Sequence, residues 1–479
     1  MSEVRGTAAV IEQFNHAFVH HLPDELDELV GEECVLEGIQ PAPDGDRHEG
    51  RQACLAFWRS LAADRGTRFA PEEVVVAGEH ATIRWRYHFG DGPADSVRGV
   101  NLMRVRDGRI VEAFGYGKTA GEVPLATPDA AVDAGWDGRS YHVDSGAGID
   151  GLTLRRHRVA APGPGQVLVA VRAAALSYRD LMVLRGDYVL PVKPDVVPVA
   201  DGAGEVVAVG AGVRLVRIGD RVAATVFPHW QDGPFEVGQL AQLGGSLDGM
   251  LTELALLDER ALVPVPAHLS FAEAATLPCA AVAAWNALTG DGGAGLRPGE
   301  TVVTLGTGGV SLFALQLAKA LGARVIATTS GPEKARRLVE LGADEVVDYR
   351  ADPDWPSVVR ELTGGRGADR VVDVVGDLAQ SLAAVKACGQ VAFVGLLSGR
   401  TPALDPGRLF ASGATVRALA VGSRAQFAAM NRVIEEHRIR PVVDRVVPFD
   451  RAPEAFRHYA SGAAFGKVVI ETAQPVRRV

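Results

Sequence analysis

The run TVVTLGTGGVS, from Thr301 to Ser311, restricts the fold of this chain more than any other stretch. A strand-forming segment ends at Leu305, Gly306, Gly308 and Gly309 crowd the next four positions, and apolar residues at helical spacing begin at Val310. Glycines at such a junction permit a tight turn, and they let backbone N–H groups approach an anion at the positive end of the helix dipole. A glycine triplet alone is weak evidence, but a strand before it and a helix after it make a dinucleotide-binding turn the expectation. A turn that is only structural is the alternative. The third glycine of the G-x-G-x-x-G pattern is Ser311 here, whose small side chain still allows the helix to lie close on the sheet.

From Thr301 onward, short apolar strands alternate with helices: TVVTLG, ARVIATT, EVVDY, RVVDVVG and QVAFVGL are the strands. That alternation predicts a parallel sheet of βαβ units. The preceding region differs. Val167 to Ala175, Gly204 to Val209 and Asp220 to Val226 are β-rich runs separated by Gly and Pro, which predicts an all-β unit. The final FGKVVI is a strand with no helix behind it, so the chain after about 424 is expected to return to that β unit.

The first quarter looks like another protein. Residues 1 to 132 hold 22 Asp and Glu against 13 Lys and Arg, and so carry nine of the ten net negative charges. Apolar residues at helical spacing (Val10, Ile11, Phe14, Phe18) open it, and Leu55, Phe57, Trp58 and Leu61 mark a second helix. Then the period becomes two, with Ile83, Trp85, Tyr87 and Phe89 on one strand face. Arg106 to Gly108 reads as the turn of a hairpin between Val97 to Val105 and Arg109 to Tyr116. Helices followed by an antiparallel sheet is an α+β layout. An Ala-, Gly- and Pro-rich segment, 121 to 135, reads as a linker.

This charge balance lacks the clustered cations that a nucleic-acid surface needs. No stretch of about 18 apolar residues and no signal-peptide order is present, so no membrane partner is expected. Cys34, Cys54, Cys279 and Cys388 are far apart, which suits a reducing compartment and gives neither a disulfide framework nor a zinc site by spacing. A soluble, cytoplasmic protein is the expectation.

The order of elements in the first quarter, with GVNLMRVRDGRIVEAFGYGK at its end, resembles the SnoaL-like branch of the nuclear transport factor 2 superfold over about residues 5 to 120. The resemblance implies an α+β cone closed by helices around a pocket. Its members include cyclases, isomerases, hydrolases and silent binding or dimerising modules, so the fold does not give the activity. Glu37, His48, His88, Arg98, Asn101 and Tyr116 are the polar residues that could face the pocket, and alternation does not say which of them do.

Residues 136 to 479 resemble the medium-chain dehydrogenase/reductase superfamily, on APGPGQVLVAVRAAALSYRDLMVLRGDY, VPVADGAGEVVAVGAGV, IGDRV, LSFAEAATLPCAAVAAWNAL, the glycine turn and FGKVVI. The resemblance implies a multidomain chain. A SnoaL-like domain at 1–120 and the linker precede a GroES-like β domain at 136–288 and 425–479, which is interrupted by a Rossmann doubly wound α/β domain at 289–424. Zinc-dependent members hold their catalytic ion with Cys, His and Cys. Ser177, Ala200 and Cys279 stand at the matching positions, a set that cannot supply the three protein ligands such a site needs. The chain is therefore similar to the zinc-independent quinone oxidoreductases and enoyl reductases, and no zinc is expected.

Without a Lewis acid, hydride transfer suits a substrate that already carries a conjugated acceptor, an enone or a quinone. The second strand of the βαβ unit ends ATTSGPEK, where Ser330 and Lys334, with no acid before Glu333, favour the extra phosphate of NADPH over NADH. Lys334 and Arg336 are alternatively a solvated helix face. The resemblance adds nucleotide contacts at Val310, Tyr349, Gly376, Gly395, Ser423, Arg424 and Lys467; Arg424 is alternatively a surface residue. Tyr178, Tyr188 and His229 are the candidates to donate a hydrogen bond to the developing oxyanion, each with a bland alternative as core filler or loop residue. Asp180 is expected to orient Arg179 or the backbone.

Two functional readings stay open. In one, cyclisation or isomerisation of a polyketide-like substrate in front is coupled to NADPH-dependent reduction behind. In the other, the chain is an NAD(P)-dependent alcohol dehydrogenase or aldehyde reductase whose front domain only binds or dimerises. A small molecule is the expected partner in both, with a homodimer implied by the resemblance.

Overall fold

The computed structural model describes residues 5–39, 45–90, 95–118, 135–290, 295–395 and 405–472. The expected linker at 121–135 lies outside the described residues except for Gly135. The chain divides into two compact units, Met1–Asp129 and Ala130–Val479.

In the first unit, α1 (Thr7–Val19) and α2 (Arg51–Ala63) accompany a sheet of β1 (Val30–Glu37), β2 (Arg47–Glu49), β3 (Arg68–Ala77), β4 (His80–His88), β5 (Ser96–Arg106) and β6 (Arg109–Lys118). The sheet order is β2-β1-β6-β5-β4-β3. Val10, Ile11, Phe14 and Phe18 bury one face of α1, as their spacing predicts. On α2 the fully buried residues are Cys54, Trp58 and Ala62; Leu55, Phe57 and Leu61 pack only in part. The turn between β5 and β6 runs through Asp107 and Gly108, both at positive φ (51° and 73°), which the sequence RDG accommodates. Ile83 and Trp85 point into the core, but Phe89 falls beyond the end of β4 and is exposed.

The second unit begins with a two-stranded ribbon, β7 (Trp136–His142) and β8 (Thr153–Val159). Then come β9 (Gln166–Ala175), α3 (Tyr178–Arg185), β10 (Asp201–Val209), β11 (Arg221–Ala224), β12 (Leu254–Asp258) and β13 (Leu262–Pro264). Helices α4 (Phe271–Ala274) and α5 (Val282–Thr289) lead to the glycine turn, with a single wide turn at Leu277–Ala281 carrying Cys279 between them.

The alternating region follows as β14 (Thr301–Thr304), α6 (Gly309–Ala320), β15 (Arg324–Thr329), α7 (Pro332–Glu340), β16 (Glu345–Asp348), α8 (Trp355–Leu362), β17 (Ala368–Asp373), α9 (Leu378–Ala384), β18 (Val385–Phe393), α10 (Pro406–Ser412) and β19 (Thr415–Ala418). Its six strands are all parallel, in the order β16-β15-β14-β17-β18-β19. The order reverses beside β14, and ligands of such sheets lie at that point, beyond the carboxyl ends of the strands. The chain then passes through α11 (Arg424–Glu436), β20 (Val443–Pro448), α12 (Ala452–Ala460) and β21 (Lys467–Glu471). Strand β21 pairs antiparallel with β9 and parallel with β20, so Lys467–Glu471 are built into the sheet that began some 300 residues earlier.

Candidate active site

The glycine turn sits at the carboxyl end of β14. Gly306 adopts φ +77°, a conformation that only glycine takes without strain, and its N–H donates to Thr328 Oγ1 at 3.1 Å. A side chain at Gly306 or Gly308 would meet nothing within 4 Å, so open space lies over the backbone where α6 begins. Ser311, in place of the third glycine, is buried, and its hydroxyl donates to Leu305 O at 2.7 Å. The serine thus ties the first turn of α6 to the end of β14. Open space, a positive-φ glycine and a helix N-terminus together fit a dinucleotide pyrophosphate.

Gly309 explains a longer-range contact. A Cβ there would come within 2.7 Å of Lys467 Cδ, so the stem of Lys467 passes directly over the turn. Gly466 fixes that approach, since its N–H donates to Thr307 O at 3.0 Å. The ammonium of Lys467, however, points on into the β unit. Its Nζ lies 2.8 Å from Ser177 Oγ and 2.9 Å from Asp201 Oδ2, and Ser177 Oγ donates to the same Asp201 oxygen at 3.0 Å. Lys467 and Asp201 are only 2% and 0% exposed. Two opposite buried charges and a hydroxyl thus form a closed triad.

The local sequence builds this triad. Ser177 caps α3, with its N–H donating to Asp180 Oδ2 at 2.8 Å. Asp201 enters β10 just after Val199, a β-branched residue at φ +70°. That conformation is held by Met250 N–H donating to Val199 O at 2.6 Å and by Gly249, where any Cβ would collide with the same carbonyl. Burial pushes the Asp201 carboxyl above its usual range while Lys467 draws it back. Burial and the Asp201 charge push the Cys279 thiol up to about 12, against the pull of Lys467 and Arg179.

A second network adjoins the first. Arg179 is buried and donates to Tyr188 Oη (3.1 Å), Asp180 Oδ1 (3.3 Å), Leu243 O (3.0 Å) and Gln242 Oε1 (2.7 Å), while Tyr188 Oη donates to Gln242 Oε1 at 2.8 Å. The role expected of Asp180, orienting Arg179 and the backbone, is the one its contacts have. Burial raises both the Tyr188 phenol and the Asp180 carboxyl, the latter to about 6. Tyr178 packs in the same cluster as Tyr188 and Tyr459, and its hydroxyl makes no hydrogen bond to the described residues.

The remaining expected site residues scatter around the parallel sheet. Ser330 and Lys334 lie after β15, and Lys334 has no ion-pair partner among the described residues. Tyr349 is 40% exposed, with its N–H on Thr329 O at 3.0 Å. Gly376 and Gly395 both hang on Asp373 at the end of β17. Ser423 caps α11, and Arg424 Nε donates to Leu262 O at 3.0 Å, so both have structural partners. His229 is exposed on the loop after β11.

Asp201, Gln242 and Tyr459 were missed by the residue-level expectations. Asp201 had a signal: an acid inside the apolar run VPVADGAG is a buried charge that demands a partner.

The first unit carries a cavity of about 380 Å³ of its own. Of the six polar residues expected to compete for it, Glu37 and Asn101 line it. Tyr116 is exposed on the opposite sheet face, and Arg98 is occupied by Glu72 at 2.9 Å.

Three family models match: a SnoaL-like domain over residues 11–113, an alcohol dehydrogenase GroES-like domain over 163–267 and a zinc-binding dehydrogenase domain over 309–436. A zinc-type alcohol dehydrogenase-like protein of Schizosaccharomyces pombe is 41% identical over 336 residues, which cover 68% of this chain and 97% of that protein. The chain belongs to the medium-chain dehydrogenase/reductase family. Members of that family are NAD(P)-dependent oxidoreductases. A 2-methylene-furan-3-one reductase of Solanum lycopersicum is 33% identical, covering 67% of this chain and 76% of that protein. A solved NAD-dependent alcohol dehydrogenase superposes with a TM-score of 0.64 at 36% identity, covering 70% of this chain and all of the other. Although zinc appears in some of these names, this medium-chain dehydrogenase/reductase carries Ser177, Ala200 and Cys279 at the positions that match the ligands of zinc-dependent members. Ser177 and Ala200 flank a lone thiol, Cys279, and the ammonium of Lys467 is hydrogen-bonded into the same pocket. No three His, Cys, Asp or Glu side chains converge on a metal site among the described residues.

No helix among the described residues is long and apolar enough to cross a membrane.

Proposed function

We propose that the chain is a zinc-independent, NADPH-dependent reductase that transfers hydride to a conjugated enone, quinone or related carbonyl compound. The observation that carries this reading is the Ser177–Lys467–Asp201 triad, a fixed internal cation where metal-dependent relatives need thiolate and imidazole ligands. An acceptor that is already polarised by conjugation fits such a site better than a simple alcohol or ketone.

When bound, NADPH supplies the hydride. The backbone at Gly306, Gly308, Gly309 and Val310 would hold its pyrophosphate at the start of α6, with Ser330 and Lys334 on the 2′-phosphate and Tyr349, Gly376 and Gly395 along the strand ends. Lys467 would act on the nucleotide through its stem beside Gly309, its ammonium being spent on Asp201. Among the three candidate donors, Tyr178 is favoured because its hydroxyl is uncommitted, whereas Tyr188 is tied to Arg179 and Gln242. The Tyr178 hydroxyl would donate to the substrate oxygen as negative charge develops there.

The front unit would bind, cyclise or isomerise a polyketide-like compound in a cone-shaped fold, and the chain would act in the cytoplasm as a homodimer. Similarity to an NAD-dependent alcohol dehydrogenase supports a second reading, an alcohol dehydrogenase or aldehyde reductase with a non-catalytic front domain. One experiment separates them: enones, quinones, aldehydes and alcohols are offered to chelator-treated protein with NADPH or NADH, and nucleotide turnover is followed optically. Turnover confined to conjugated acceptors and untouched by chelation supports the first reading. Activity that is lost to the chelator and restored by zinc sinks it.

A further inference from the structure

The outward side of α1 carries a pair of imidazoles that nothing described so far uses. Val10, Ile11, Phe14 and Phe18 turn inward, whereas His16 and His20 are exposed. Side chains four residues apart stand one above the other on a helix. The two ring centroids are 4.4 Å apart, and their planes are inclined by 47°. Just beyond α1 the chain folds back. Leu22 N–H donates to Ala17 O at 2.9 Å, and a 3₁₀ turn at Pro23–Leu26 brings Glu25 to the same face.

Glu25 Oε2 lies 2.9 Å from His16 Nδ1. A carboxylate can only accept, so the proton of the neutral ring is on Nδ1 and the lone pair is left on Nε2. Neither His16 Nε2 nor either nitrogen of His20 bonds to a described residue. Imidazole nitrogen suits zinc, copper and nickel, whereas magnesium and calcium take oxygen. A ligating histidine that gives its other N–H to a carboxylate is the usual outer shell of such ions, and His16 with Glu25 has it. Two nitrogens held tetrahedrally about 2 Å from one ion stand roughly 3.3 Å apart. Rings as close as these reach that separation by side-chain rotation alone. The carbonyls that end α1 add a partial negative charge, which favours a cation there.

We propose that His16 and His20 form a surface site for a divalent transition ion of the zinc, copper or nickel kind. His16 Nε2 is one ligand and a nitrogen of His20 the other, with water in the remaining positions and Glu25 orienting His16. Such an ion clips the last turn of α1 to the segment that follows it. No residue of the Ser177–Lys467–Asp201 triad takes part, so the ion is not a catalytic one and its binding is independent of the reductase reading.

The test uses the full chain without a histidine tag, at a pH above the ordinary imidazole range. Zinc chloride is titrated by calorimetry into wild type, His20→Ala and Glu25→Gln, with magnesium chloride as the control ion and circular dichroism to check each fold. Expected are a zinc-binding step in wild type that is lost in His20→Ala, a step roughly ten-fold weaker in Glu25→Gln, as for the loss of an outer-shell partner, and no step with magnesium. The exposed Cys388 is common to all three proteins, so zinc held by that thiol cancels in the comparison. Copper(II) in place of zinc should show two nitrogen ligands by electron paramagnetic resonance in wild type and one in His20→Ala. Zinc isotherms that are identical in wild type and His20→Ala, or a magnesium step as strong as that of zinc, overturn the site and leave His16 and His20 as a surface ring stack. Unchanged affinity in Glu25→Gln overturns the orienting role of that carboxylate.

Discussion

Lys467 Nζ lies 2.9 Å from Asp201 Oδ2, and neither side chain reaches solvent. Each is the reason the other can be charged inside the fold, because an unpaired ion there would cost several kcal/mol. Removing the cation in Lys467→Met should therefore lower unfolding stability by about 3–5 kcal/mol, the usual penalty for orphaning a buried partner. Adding Asp201→Asn should restore a large part of that loss. Urea denaturation of the single and double variants measures both, and additive losses would contradict the pairing.

The Asp180 carboxyl, raised to about 6 from its ordinary 3.8, makes a pH prediction. A raised carboxyl holds its proton more tightly in the folded chain than in the unfolded one. Between about pH 4 and pH 6 the unfolded state releases that proton first, so stability falls as pH rises through this window. Relative to Asp180→Asn, wild type should lose up to about 3 kcal/mol on going from pH 4 to pH 6.5. Thermal melts of both proteins across that range test the sign.

For catalysis, Tyr178→Phe should lower kcat by about 10²-fold, the lower end of what a positioned proton donor contributes, and leave nucleotide affinity intact. Tyr188→Phe should act on stability instead, by roughly 1 kcal/mol, since its hydroxyl is bonded on both sides. His229→Ala should change neither. Steady-state kinetics beside denaturation curves separates the three, and a large kcat loss in His229→Ala would reassign the donor.

Nucleotide choice turns on the end of β15. Lys334→Ala should weaken NADPH binding about ten-fold without affecting NADH, as expected for one charge-assisted contact. Ser330→Asp should go further and reverse the preference, because a carboxylate there accepts from a ribose hydroxyl and repels a phosphate. Direct titration of both nucleotides gives the answer.

Local features were legible in the sequence where a residue type has few conformational options. The turn at Gly306, the Asp107–Gly108 hairpin and the amphipathic face of α1 were all expected and are all present. Pairings between distant segments were not. FGKVVI showed a strand and suggested a nucleotide contact, yet nothing local says that Lys467 will cross to Ser177, 290 residues away. Strand alternation likewise could not say which face of β5 and β6 is inward; the helices that cover one side decide that, and they turn Asn101 of β5 in and leave Tyr116 of β6 out. Ser311 is a third case. It departs from the glycine pattern, but its hydroxyl bond to Leu305 O replaces what the glycine would have allowed.

The ammonium nearest the Asp201 carboxylate belongs to Lys467 of β21, 266 residues further along the chain. Loosening the pairing of β21 with β9 would withdraw the cation from the site together with the strand from the sheet. Completion of the sheet and charge balance in the pocket thus depend on one and the same lysine-bearing strand.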